Sequence, residues 1–387
     1  MFRIDEDQDV VAPRTQPCRE LSLAATGAAD RCAGDEQEPH PRSVSRAADA
    51  PSRGPSEPRY GEAVERRSRP PGSPAEAVLV GLLCTFHRPT AVQTLLGALE
   101  RQTRPPDVLV VVDNGQDVKL EASIAQRPHG PMEVRYLRPP GNLGPAGAFT
   151  LGLQSVAAEL GAPDLVVHLD DDDPPVDDGQ LAALVAELLS AAHGDPSVAG
   201  IGLSGGRLNT RTGVVRPVAG APRLEEVDHL HGGYLPVYRA DALLSVDGND
   251  PTFFYGFEEL ELGRRIHQRG WKLLVDNELM RELVDRYPKR KRDTTARATL
   301  RIDEGDLGWS RFHKERNLIR ILRRERRWAA IITTVLLRHL GKPLLVVPSQ
   351  PRAAAGRMLL GMRATIAGLR GCGGIDLRYS PEVPAGD

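Results

Sequence analysis

Four consecutive carboxylates, Asp170-Asp171-Asp172-Asp173, directly follow the apolar run Leu165-Val166-Val167-His168-Leu169. Adjacent carboxylates repel one another, and at the end of an apolar strand that repulsion calls for a compensating cation. Hard oxygen donors suit Mg2+ or Mn2+, ions that commonly share their coordination shell with substrate phosphates. The plain alternative is a solvated acidic loop, and the position straight after a buried strand argues against it. A second acidic group, Glu258-Glu259-Leu260-Glu261, follows Phe253-Phe254-Tyr255-Gly256-Phe257. Acids in a first helical turn are favoured by the macrodipole, which accounts structurally for at least one of them. Phe254 and Phe257 could also desolvate a carboxylate and raise its pKa toward that of a general base.

Such groups work only if a frame brings them together. From residue 78 the sequence alternates apolar runs with amphipathic segments, the pattern of a mainly parallel sheet with helices on its faces. Residues 78–84 read as a first buried strand ending in Thr85-Phe86-His87-Arg88-Pro89, with Pro89 opening a helix that carries Val92, Leu95, Leu96 and Leu99. Residues 107–112 read as a second strand that delivers Asp113-Asn114-Gly115 to a loop, and residues 133–137 as a third. A loop over 139–147 leads into a helix with Phe149, Leu153 and Val156, and residues 165–169 form the fourth strand. Ligands of open α/β sheets bind at the carboxyl ends of strands, so Thr85, Asp113, Asn142 and Asp170 to Asp172 are predicted to converge on one crevice. Beyond them come a helix over 181–189, a strand over 198–203, a hairpin or loop over 205–218 and an apolar stretch after His229, His231, Gly232 and Gly233. A helix over 258–269 stopped by Gly270, a strand over 271–275 and one or two helices over 311–337 complete the reading.

Taken in order, Thr85-Phe86-His87-Arg88-Pro89, Val112-Asp113-Asn114-Gly115, Gly141-Asn142-Leu143-Gly144, Leu169-Asp170-Asp171-Asp172 and Phe254-Tyr255-Gly256-Phe257-Glu258-Glu259, with Gly263, Arg265, Gly270 and Trp271, match a family. Residues 78–320 resemble the family 2 glycosyltransferases of the GT-A fold, especially the bacterial rhamnosyl- and galactofuranosyltransferase branch. The resemblance implies an inverting, metal-dependent transfer of a rhamnose- or galactofuranose-like sugar from a UDP- or dTDP-sugar to a hydroxyl of a lipid-linked glycan or other acceptor. Asp170 and Asp172 then correspond to the ends of the DxD motif that holds Mn2+ or Mg2+ against the donor diphosphate. Asp113 corresponds to the nucleobase-binding aspartate, Thr85 and Arg88 edge the nucleotide pocket, Asn142 lies in the loop that closes over the donor, and Asp170 and Asp171 are further expected nucleotide-sugar contacts. Glu259, with Glu258 before it, stands where the family usually has an Asp base. Arg316-Asn317 resembles an aromatic-rich Arg-Asn motif near the family's C-terminal membrane-facing helices. Some relatives carry a further metal-ligating His, but the corresponding region here reads Leu283-Val284-Asp285. Asp285, His313, His229 and His231 are left as candidates for that ligand.

Composition sets the limits of this frame. Residues 1–76 hold ten of the 32 prolines and only Phe2 and Tyr60 as aromatics. Such a segment buries too little apolar surface to offset its ordering entropy and is expected to be a disordered tail. The expected organisation is therefore tail, GT-A domain over 77–280, a basic and amphipathic helical region over 281–373 and a loose end over 374–387. Fifty Lys and Arg against 52 Asp and Glu leave no whole-protein field pointing to nucleic acid. Residues 281–327 alone carry sixteen basic residues against eight acidic ones. Cys18, Cys32, Cys84 and Cys372 have no zinc or disulfide spacing, and the first thirty residues lack a secretory pattern, so the cytoplasm is the expected compartment. The apolar stretch 329–347 is broken by Arg338, His339, Lys342 and Pro343, leaving an uninterrupted part too short for a span of about 20 residues. Behind Arg323, Arg324, Arg326, Arg327 and Trp328, it suits peripheral contact with an anionic membrane on its inner face, or a core helix with a basic approach. Two rival functions are a non-catalytic, membrane-docked nucleotide-sugar-binding module and a sugar-phosphate nucleotidylyltransferase. The Gly-rich, Arg-containing signature of the latter is missing after the first strand.

Overall fold

The computed structural model describes residues 73, 75–218, 220, 222–286, 308–376 and 379. All of these fall in one compact unit, residues 59–387. The expected tail over 1–76 lies outside the described residues, apart from 73, 75 and 76, as do 287–307 of the basic stretch.

The elements in chain order are β1 (Leu79–Thr85), α1 (Pro89–Glu100), β2 (Val108–Asp113), α2 (Val118–Ala125), β3 (Glu133–Leu137), α3 (Gly144–Leu160), β4 (Leu165–Asp170), α4 (Gln180–Gly194), β5 (Val198–Gly202), β6 (Gly205–Leu208), β7 (Val215–Pro217), β8 (Leu224–Val227), β9 (His229–Leu230), β10 (Val237–Arg239) and α5 (Ala240–Leu244). A 3-10 turn (Pro251–Phe253), α6 (Glu258–Gln268), β11 (Lys272–Asp276), α7 (Asn277–Arg286) and α8 (Trp309–Arg324) follow. The last two helices are α9 (Trp328–Val346), π-helical through its middle, and α10 (Pro351–Arg370).

Eight strands form one sheet in the order β3-β2-β1-β4-β10-β5-β11-β8. The pairs β1/β2, β1/β4, β2/β3 and β5/β11 are parallel, and β10 and β8 run antiparallel to their neighbours. Central parallel strands are covered on both faces, which explains the unbroken apolar runs of β1, β2 and β4. Alternate residues supply the two layers. Leu79, Leu83, Val111 and Leu169 pack with Leu95 and Leu99 of α1 and Leu184 and Leu188 of α4. Val80, Leu82, Val110 and Val112 face Phe149, Leu153 and Val156 of α3 together with Leu243 and Ile266. The fold is thus α/β with a mixed, mainly parallel sheet between helical layers. The sequence did not separate β10, a three-residue strand that inserts antiparallel between β4 and β5.

A third apolar cluster joins Ala146, Phe253 and Leu260 to Leu318, Ile319, Leu322, Ala330 and Ile331, and so fastens the C-terminal helices to the start of α3 and α6. Of the segment 374–387, expected to be a loose end, only residues 374–376 and 379 are described, and this described part contacts α8. Tyr379 stacks on Phe312 at 4.1 Å, the Asp376 N–H meets His313 Nε2 at 3.3 Å, and Arg316 donates to the Gly374 carbonyl at 2.7 Å. Apolar stacking and a buried guanidinium hold this end against α8.

Candidate active site

The strand order places a switch between β2 and β4 on either side of β1, and their carboxyl ends meet there. Cys84 registers with Asp170, and Thr85 with Asp113. Thr85 Oγ1 donates to Asp171 Oδ2 at 2.7 Å, and Arg88 donates to Asp171 Oδ1 at 3.0 Å and to Asp172 Oδ2 at 2.8 Å. Of the residues expected to converge, Thr85, Asp113 and Asp170 to Asp172 lie at the carboxyl ends of β1, β2 and β4, and Asn142 lies in a loop tied to Asn114 beside Asp113. Arg88 is not only a pocket edge, because its guanidinium already pairs with two of the carboxylates. Asp173 points elsewhere and accepts the Tyr234 N–H at 3.0 Å.

Asp113 is buried and serves its own loop. It accepts the Gly115 N–H at 2.8 Å, the Asp117 N–H at 2.8 Å and the Tyr136 hydroxyl at 2.9 Å. Neighbouring Asn114 was not singled out by the sequence, yet it fixes the next loop: its Oδ1 accepts the Leu143 N–H at 2.9 Å and its Nδ2 donates to the Gly144 carbonyl at 3.3 Å. Asn142 caps the same turn by accepting the Gly144 N–H at 2.9 Å. Gly144 has φ +66°, and a Cβ there would fall 2.2 Å from the Phe254 carbonyl oxygen. Only glycine suits both the left-handed backbone and that approach. The 141–144 loop is thereby pressed onto the aromatic loop that opens α6.

That aromatic loop is strained, with Phe254 at φ 58° and Phe257 at φ 63°, an expense of roughly 1–3 kcal/mol per residue that the surroundings must hold. Asn317 holds it. Its buried amide donates to the carbonyls of Phe253 at 2.7 Å, Tyr255 at 3.1 Å and Gly256 at 2.7 Å, while Arg316 fixes Asn317 Oδ1 at 3.0 Å. The Arg-Asn motif noticed in the sequence is therefore a clamp on the backbone that presents Glu258 and Glu259.

The three acids of the first turn of α6 have separate fates. Glu261 is buried and structural, held by Arg265 at 2.7 Å and Arg324 at 3.0 Å. Glu258 is half-buried, and its solvent-shielded Oε2 has no partner among the described residues. Burial, reinforced by the charge of Glu259, pushes the Glu258 carboxyl well above the usual range. Burial also acts to raise Glu259, but the facing His231 imidazole and the Gly232 N–H outweigh it, leaving its carboxyl below the usual range. One side chain of the pair is protonated and the other ionised, the division of labour that separates acid from base in catalytic carboxylate pairs.

Glu259 faces the aspartates across Gly232. A Cβ at Gly232 would lie 2.8 Å from Glu259 Oε1 and 3.0 Å and 3.3 Å from the two oxygens of Asp170. The glycine leaves the gap between the two carboxylates open. Asp170 is pushed up to about 7, first by burial and then by Glu259, Asp172, Asp173 and Asp171. This hard, mutually repelling donor set is of the kind that suits Mg2+ or Mn2+.

Of the four candidates for a further ligand, His313 is ruled out by its partners: Nδ1 lies 2.8 Å from the Trp309 carbonyl and Nε2 takes the Asp376 N–H. Asp285 is exposed on α7 and outside the one metal-competent cluster among the described residues. That cluster is His229, His231 and Glu259. Gly232 and Asn317 are the functional positions the sequence left unassigned, although the His-x-His-Gly-Gly run and the Arg-Asn pair marked their places.

Residues 82–211 match glycosyl transferase family 2. The chain is 31% identical over 207 residues to galactofuranosyltransferase GlfT1 of Mycolicibacterium smegmatis, covering 50% of this chain and 66% of that one. It is 33% identical over 202 residues to galactofuranosyltransferase GlfT1 of Mycobacterium tuberculosis, covering 49% and 64%. The aligned part thus spans just under two thirds of these relatives. Among solved structures it is similar to mannosyltransferase PcManGT from Pyrobaculum calidifontis in complex with GDP-Man and Mn2+, at TM-score 0.44 and 16% identity over 79% of this chain and 85% of that one. It is also similar to S. aureus TarS 1-349 in complex with UDP, at TM-score 0.41 and 15% identity over 76% and 91%. With its motifs in family order on the mixed α/β sheet just described, the segment 82–211 is that of a family 2 glycosyl transferase.

Proposed function

We propose that the chain is an inverting glycosyltransferase that moves a sugar from a UDP- or dTDP-sugar to an acceptor hydroxyl, with Glu259 as the base. The observation that carries this reading is the open gap at Gly232, with Asp170 on one side and an ionised Glu259 on the other. Asp170 and Asp172 would hold Mn2+ or Mg2+. Such an ion, when bound, neutralises charge on the departing nucleoside diphosphate. Arg88, placed on Asp171 and Asp172, supplies a fixed cation at the same edge. Glu259 accepts the acceptor hydroxyl proton while that oxygen forms its bond to the anomeric carbon. The bond from that carbon to the diphosphate oxygen breaks on the opposite face, and the electron pair leaves with the diphosphate. Protonated Glu258 beside the base keeps a second negative charge away from the attacking oxygen. The loop held by Asn114 and Asn142 presses on the backbone of Phe254 and keeps the acids in place.

The sugar is proposed to be galactofuranose-like, supported by the names of the two relatives, with a rhamnose-like sugar as the second choice. A lipid-linked glycan is proposed as the acceptor, and the inner face of the cell membrane as the place of action. Helix α9 supports this: it is 19 residues long and apolar enough to cross a membrane by length and composition. Its polar residues turn inward, however, Arg338 and His339 reaching buried Glu315 at 2.9 Å and 3.0 Å, while Leu336, Leu337, Leu344 and Leu345 are exposed. An in-plane helix with an apolar outer face fits those contacts.

The test is to incubate the protein with Mn2+ or Mg2+, a panel of nucleotide sugars and an acceptor extract. Release of nucleoside diphosphate is expected with one donor. Pyrophosphate release would indicate a nucleotidylyltransferase, and metal-dependent binding without turnover would indicate a binding module.

A further inference from the structure

His229 and His231 stand two apart at the end of β9, and positions two apart in a strand face the same side. Their rings meet edge to face with centroids 4.8 Å apart. His229 is 2% exposed, and its Nδ1 has no hydrogen-bond partner among the described residues. A buried imidazole nitrogen left without a partner is costly unless something binds it. Glu259 is arranged in the same sense. Its Oε1 accepts the Gly232 N–H, and its Oε2 is left facing His231 Nδ1 at 3.7 Å.

We infer that His229, His231 and Glu259 form a transition-metal site for a borderline ion such as Zn2+, distinct from the all-carboxylate site of Asp170 and Asp172. Their donor atoms lie within 4.8 Å of one another. Ligands at about 2.0–2.1 Å in a tetrahedron stand roughly 3.3 Å apart, so the most distant donors must close in by about 1.5 Å. His231 is 43% exposed and can swing to do so. Two imidazoles and a carboxylate with one open position suit zinc, whereas Mg2+ prefers oxygen donors. An ion held there would occupy the oxygen that takes the acceptor proton, so Zn2+ is expected to inhibit turnover. That consequence, unlike the site itself, rests on Glu259 being the base.

Co2+ titrated into the full chain and followed by visible absorption tests the site. Wild type and Asp170→Asn are expected to give the same strong tetrahedral bands, displaced by Zn2+ and unaffected by excess Mg2+. His231→Ala, at a half-exposed position where folding is not at risk, is expected to weaken Co2+ binding at least tenfold, and His229→Gln likewise. Bands that are missing in wild type, that survive both histidine substitutions or that vanish in Asp170→Asn would overturn the proposal, the last by showing one ion shared with the aspartates. Intact bands with undiminished turnover in the presence of Zn2+ would overturn the base assignment instead.

Discussion

Two buried acidic centres in this molecule are built in opposite ways. In the C-terminal helices, Glu315 is fully buried and surrounded by cations: Arg311 at 2.8 Å, Arg338 at 2.9 Å, Arg357 at 2.5 Å and His339 at 3.0 Å. Burial opposes its ionisation, yet Arg338, His339, Arg311 and Arg357 hold its carboxyl far below the usual range. At the end of β4 the reverse holds. The charges that act on Asp170 are those of Glu259, Asp172, Asp173 and Asp171, and its carboxyl rises to about 7. The scaffold satisfies one carboxylate completely and leaves the other crowded, the arrangement that the proposed cation site calls for. Structural ion clusters close on themselves, and binding sites stay open.

Substitutions at the two centres should therefore differ in sign as well as size. Glu315→Ala leaves Arg357 buried without its partner, and removing one member of such a cluster costs about 3–5 kcal/mol. Thermal or urea unfolding should show that loss; an unchanged midpoint would erase the contrast. Asp170→Asn should instead stabilise the metal-free protein at pH 8 while abolishing Mn2+-dependent donor binding, read by melting and calorimetry. Because its folded pKa is raised, the native state holds a proton that the unfolded chain gives up near pH 4. Metal-free wild type should then lose stability as pH rises from about 4 through about 7, and Mn2+ should restore it. A melting temperature that climbs over that window would count against the crowded site.

Smaller effects probe how the two regions are joined. Asn317→Ala strips the donor from the carbonyls of Phe253, Tyr255 and Gly256, a loss of about 1–3 kcal/mol. Turnover should fall roughly tenfold through misplacement of Glu259, with nucleotide binding nearly unchanged. Loss of both in parallel would mean general unfolding rather than positioning. Least of all, Leu337→Ser and Leu345→Ser on the outer face of α9 should leave stability within about 0.5 kcal/mol. They should reduce sedimentation with anionic vesicles, and unaltered sedimentation would remove the membrane assignment.

The parts of this comparison legible in the sequence are those with a local cause. Continuous apolar runs announced β1, β2 and β4, and the switch rule located their carboxyl ends before any pairing was seen. The contacts made by Asn114, Gly232 and Asn317 were not legible, because each depends on segments 27 to 64 residues away. Asp113 shows the same limit: its position was foreseen, but not that two backbone N–H groups and Tyr136 would engage it. Helix α10 was hard to delimit for a local reason. Gly361 and Gly368 weaken its helical signal, yet a Cβ would lie 2.7 Å from His339 at the first and 2.7 Å from the Arg316 carbonyl oxygen at the second. They are small because α10 must lie close to α8 and α9.

The most direct test compares wild type with Glu259→Gln in the presence of Mn2+ and the donor selected from the panel, measuring donor binding by calorimetry and nucleoside diphosphate release with acceptor. The account predicts equal donor affinity and a turnover lower by about 10²–10⁴. Full turnover in Glu259→Gln would contradict it.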